Sequence, residues 1–138
     1  MKHLLQSILF ATALLLASAA DAGNDTLYAL EATASPKALQ EGGKGSISLE
    51  IKSKEGAHVS AEAPLKVTLA GTNVKIEKDK LSRADAQPGT AESPKFVIPF
   101  TALAKGAASV DADVVFFICT ENLCERQAKK ISVPLTVN

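Results

Sequence analysis

The chain has 138 residues, with 15 lysines and arginines against 15 aspartates and glutamates, and neither sign is segregated along it. That balance argues against a nucleic-acid partner, which requires a basic face, and against electrostatic attachment to an acidic membrane. Beyond residue 22 there is no Met or Trp, the aromatics are Tyr28, Phe96, Phe100, Phe116 and Phe117, and Arg occurs only at 83 and 126. A core must therefore be assembled mainly from Val, Ile, Leu and Ala, and a recognition surface rich in Tyr, Trp and Arg is excluded.

Met1-Lys2-His3 opens with positive charge, and an apolar run from Leu4 to Leu16 follows, interrupted by Gln6 and Ser7. Two consecutive small-residue signals come next, Ala17-Ser18-Ala19 and Ala20-Asp21-Ala22. This order predicts a secretory signal peptide over residues 1–22, cleaved after Ala19 or Ala22. The apolar run is shorter than the roughly 20 residues a membrane span needs. No cysteine follows it to carry a lipid. Residues 23–138 then form a single domain, periplasmic or secreted, with no membrane span.

Alternation of apolar and polar residues dominates this domain and predicts strands. A first strand lies around Thr26 to Thr33. In Gly45 to Lys52, Ile47, Leu49 and Ile51 share one face, and Leu65 to Leu69 repeats the pattern. Gly71-Thr72-Asn73 reads as a turn before Val74-Lys75-Ile76. Phe96, Ile98 and Phe100 share a face, with Pro99 indicating an edge or a bulge. From Ala108 to Ile118 one face carries Ala108, Val110, Ala112, Val114, Phe116 and Ile118, and Val115 and Phe117 make the second face apolar near Cys119. Ile131 to Val137 closes the set. With turn signals recurring at Gly42-Gly43, Gly56, Gly71, Pro88-Gly89 and Gly106, the pattern predicts an all-β, immunoglobulin-like sandwich of about seven to nine antiparallel strands. Ser82 to Pro94, rich in Ala, Pro, Ser and Gly, reads as a long flexible loop.

The only cysteines, Cys119 and Cys124, flank Thr120-Glu121-Asn122-Leu123 at the tip of the clearest hairpin. Residues flanking such a tip face each other across the strands, so in an oxidising compartment the two can bridge. As a staple the position is weak. The chain-entropy estimate is roughly 2 kcal/mol for so short a loop, against about 4 for one ten times longer. A disulfide at an exposed tip is also open to thiolate attack. Two readings follow, a structural bond and a bond that opens and closes. Metal binding requires a third ligand, and the remaining imidazole is His58, in the Glu55-to-Ser60 turn region. Nothing in the sequence places His58 beside the cysteines, and it reads as a solvated surface residue, so no metal or other cofactor is assigned.

The segment Lys95 to Val137 resembles the N-terminal periplasmic domain of the thiol:disulfide interchange protein DsbD family. The likeness lies in Phe96-Val97-Ile98-Pro99-Phe100, the glycine turn at Gly106, a strand ending in Cys119, a short loop, Cys124, and Val133-Pro134-Leu135. Gly56-Ala57-His58-Val59 followed by Pro64-Leu65 is similar to that family's early strand-turn region. The resemblance implies an immunoglobulin-like domain whose catalytic pair is Cys119 and Cys124. That pair would accept electrons from a separate membrane thiol reductase or thioredoxin-like protein and pass them to periplasmic disulfide proteins. Two features depart from the family pattern. Ala84 to Ser93 carries no aromatic where the family has an aromatic cap loop over its disulfide, and Glu125-Arg126 follows the second cysteine where prolines are common. The alternative is a non-catalytic secreted sandwich, structural or protein-binding, with a structural hairpin disulfide.

Overall fold

In the computed structural model, which describes residues 26–138, two sheets face each other across a core built mainly of aliphatic side chains with a few aromatics. The predicted signal peptide lies outside the described residues. The strands, in chain order, are β1 (Tyr28–Ser35), β2 (Ala38–Leu39), β3 (Lys44–Ser53), β4 (His58–Val59), β5 (Lys66–Thr72), β6 (Val74–Ile76), β7 (Lys80–Ser82), β8 (Lys95–Ala102), β9 (Gly106–Cys119) and β10 (Cys124–Val137). One sheet has the order β1-β3-β8-β6; the other has β2-β10-β9-β5-β7, with β4 pairing β9 beyond the end of β5. No α-helix occurs among the described residues, and none is long and apolar enough to cross a membrane. The fold is an immunoglobulin-like β-sandwich.

The predicted apolar faces form the core. Ile47, Leu49 and Ile51 from β3 and Phe96, Ile98 and Phe100 from β8 meet Val110, Val114, Phe116 and Ile118 from β9, all buried. At the hairpin end Tyr28 packs edge-on against Phe116, with ring centroids 4.9 Å apart, and its hydroxyl donates to Gln127 Oε1 at 3.1 Å. That bond explains how a glutamine occupies an inward position on β10 at 8 % exposure.

The structure moves several boundaries. β10 begins at Cys124 rather than Ile131, because its inward positions at 127 and 129 are polar and conceal the alternation. β5 runs through Gly71 and Thr72, so the turn is Asn73 alone, with φ 58°, and there the chain crosses to the other sheet. Gly71 is required by close approach: a Cβ there would lie 2.7 Å from the Val74 carbonyl oxygen. Pro99 sits one residue past the end of β6, where β8 has a locally free edge and a missing N–H costs no ladder bond.

The 82–94 segment is pinned rather than flexible. It starts with a single 3-10 turn at Arg83–Asp85, where Asp85 accepts from Lys78 Nζ and from the Ser82 backbone N–H at 2.9 Å. Those two bonds hold the Asp85 carboxyl below its ordinary pKa, the lysine contributing most. Further on, Val59 N–H donates to the Glu92 carbonyl at 3.0 Å, Ser53 N–H to Ser93 Oγ at 2.9 Å, and Gln87 N–H to the Lys95 carbonyl at 2.7 Å. Small polar residues read as flexible in sequence here find backbone partners on β3, β4 and β8.

Candidate functional site at the hairpin tip

β9 and β10 are 14-residue strands paired along their whole length, from Gly106 opposite Val137 to Cys119 opposite Cys124. The chain reverses between them at Thr120–Leu123, where Thr120 N–H donates to the Leu123 carbonyl at 2.8 Å. With 120 and 123 as a hydrogen-bonded pair, alternation makes 119 and 124 a non-hydrogen-bonded pair, the closer of the two kinds. Their Cα atoms are 4.0 Å apart and the sulfurs are bonded. Both sequence-predicted site residues are therefore brought together as expected.

The two cysteines differ in exposure. Cys119 is 3 % exposed, whereas Cys124 is exposed and follows Leu123, which is 58 % exposed. Along β9 the even-numbered residues from Ala108 to Ile118 fill the core, so Cys119 belongs with Val115 and Phe117 to the outer face of the six-stranded sheet. In the same face, β10 places Arg126 opposite Phe117, and β5 places Lys66 opposite Val115.

On its other side Cys119 is paired with His58 of β4. Sequence reasoning missed this neighbour, because a two-residue strand is too short to show a period. The detectable signal was Gly56, whose φ of 79° reverses the chain immediately before Ala57-His58-Val59. His58 is exposed, as expected, but it stands in a strand next to the disulfide rather than in a turn. Ser60 N–H donates to the Phe117 carbonyl at 2.9 Å, which sets the register of β4. Two residues along, 58 and 119 occupy the same hydrogen-bonded type of site, with side chains on one face and Cα atoms about 5.5 Å apart.

β4 in turn is held by the 82–94 segment. The Arg83 guanidinium donates to the Ser60 carbonyl and, at 3.3 Å, to the Ala91 carbonyl, while Glu92 receives the Val59 N–H. The side of Cys119 away from Cys124 is therefore walled by β4, with the 82–94 segment hydrogen-bonded behind it. Among the described residues no three His, Cys, Asp or Glu side chains are arranged to hold a metal ion.

No protein-family model and no curated protein matches this chain. Among solved structures, native Escherichia coli alpha-2-macroglobulin is similar over 80 % of this chain and 6 % of its own, at 16 % identity and a TM-score of 0.50. AggA, the major subunit of aggregative adherence fimbriae type I from Escherichia coli, is similar over 80 % of this chain and 95 % of its own, at 14 % identity and a TM-score of 0.39. The chain thus spans a small part of the macroglobulin, and the likeness to it concerns the fold.

Proposed function

We propose that this chain is an exported thiol–disulfide exchange domain that passes electrons through Cys119 and Cys124. The observation that carries this reading is a disulfide across the last pair of an already fully paired hairpin, with one cysteine exposed and the other buried. Such a bond closes a loop that strand pairing closes anyway, so its stabilising effect stays at or below about 2 kcal/mol. Its chemistry is more specific. An incoming thiolate reaches Cys124 Sγ, forms a mixed disulfide there, and expels Cys119 as the thiolate. The second thiol of a dithiol donor then attacks its own sulfur in that mixed disulfide and releases Cys124. The donor leaves as a disulfide and the domain as a dithiol, and the reverse sequence reduces an acceptor.

The order of strands and cysteines shared with the DsbD N-terminal domain family supports the same reading. It also supports periplasmic placement after removal of residues 1–22, with a membrane thiol reductase or thioredoxin-like protein as donor and disulfide proteins as acceptors. In this chain β4 walls the buried sulfur where the family uses an aromatic cap loop.

Titration of the oxidised domain with a mild dithiol tests the proposal. Complete reduction is expected while the circular dichroism and the cooperative unfolding transition persist, with stability lowered by no more than about 2 kcal/mol. Reduction that occurs only together with unfolding would identify the bond as structural.

A further inference from the structure

His58 is the one titratable side chain paired in register with either sulfur-bearing residue among the described strands. We propose that His58 is the proton donor and acceptor for Cys119 during exchange. The inference rests on the exchange reading and assigns a role that the cysteines cannot fill themselves.

The need for a proton follows from the burial of Cys119. When a thiolate attacks Cys124 Sγ, the S–S electron pair leaves on Cys119 Sγ, at a position only 3 % exposed. A charge formed there lacks water, and burial opposes a thiolate. An imidazolium on the adjoining strand, on the same face, can transfer its proton to that sulfur and leave a neutral thiol beside a neutral imidazole. In the return step the imidazole takes the proton back, and the Cys119 thiolate attacks Cys124 Sγ and expels the partner's thiolate. Atoms and charge balance in both directions, with the dithiol donor as the only co-reactant.

The other charged groups near His58 and the disulfide include Glu125 and Arg126 on β10, Lys66 on β5, Glu121 at the tip, Lys54 and Glu55 before β4, Glu62 after it, and Arg83 and Glu92 of the segment behind β4. None of these is opposite Cys119 in register; Arg126 and Lys66 face Phe117 and Val115, and Arg83 is committed to the Ser60 and Ala91 carbonyls. His58 is exposed, so its imidazole exchanges protons with solvent between turnovers. Its backbone position is fixed by β4.

The test compares reduction of wild type and His58→Ala by one dithiol at about pH 5.5 and at about pH 9, either side of the physiological range in which imidazole chemistry changes. The expected wild-type to variant rate ratio is about 100 at the lower pH, the scale of general acid catalysis, falling towards about 1 at the higher. Added imidazole should restore part of the variant's rate at low pH. A ratio near one at low pH overturns the proposal. An equal loss at both pH values without rescue also overturns it, since that marks a structural role for the side chain. His58→Gln, with an unchanged unfolding transition in the oxidised form, should behave as His58→Ala does. Failure of wild type itself to be reduced while folded removes the exchange reading and this inference together, whereas normal wild-type reduction with an unaffected variant removes only the inference.

Discussion

Cys119→Ala, which leaves a single thiol at Cys124, is expected to accumulate a mixed disulfide with small aromatic disulfides within the mixing time. Cys124→Ala, which leaves Cys119, is expected to react on the order of 100 times more slowly. The difference comes from exposure. Cys124 is open to solvent, whereas Cys119 is 3 % exposed between β4 and β10 and must wait for a local opening. An opening of about 3 kcal/mol lies between fraying and global unfolding and corresponds to roughly two orders of magnitude in rate. The hairpin should stay registered in both variants, because β9 and β10 remain paired from Gly106–Val137 upward. Stopped-flow absorbance of the released aromatic thiolate measures both rates. Equal rates would show that both sulfurs are reached alike and would remove the assigned order of attack.

The largest loss of stability is expected from Phe116→Ala, at about 3–5 kcal/mol. Phe116 is fully buried, stands opposite Gln127 in the hairpin, and receives Tyr28 edge-on at 87°. Truncation leaves a cavity beneath the Tyr28 to Gln127 hydrogen bond, the bond that lets a polar side chain sit there. Against a typical domain stability of about 5–15 kcal/mol, the variant retains its fold with little margin. Urea unfolding monitored by circular dichroism should rank this loss above that from reducing the disulfide, which is at most about 2 kcal/mol. The reverse ranking would make the disulfide, rather than the aromatic cluster under it, the element that secures this end of the sandwich.

The central strands were legible because water faces one side of each sheet and apolar contacts the other. Ile47-x-Leu49-x-Ile51 and the run from Ala108 to Ile118 declare their faces two residues at a time. What remained hidden had specific causes. The outer half of β10 carries Gln127 and Lys129 at inward positions, and the first is tolerated only because Tyr28, nearly the whole chain away, supplies a donor. β2, β4 and β7 have two or three residues each and owe their place to the strands they join. The 82–94 segment looked flexible by composition, yet its order comes from hydrogen bonds to β3, β4 and β8, which no local pattern encodes. At the site, hairpin symmetry alone set Cys119 opposite Cys124. His58 required the tertiary register of a two-residue strand, so a sequence reading could give it only its exposure.

The reduction potential of the Cys119–Cys124 bond, measured by equilibration of the folded domain with glutathione or dithiothreitol buffers, tests the central claim most directly. Exchange predicts a value in the range of thiol-exchange proteins, about −120 to −270 mV. A value well below about −300 mV would mark a bond that physiological dithiols do not open, and would contradict the assignment of Cys119 and Cys124 as an electron-carrying pair.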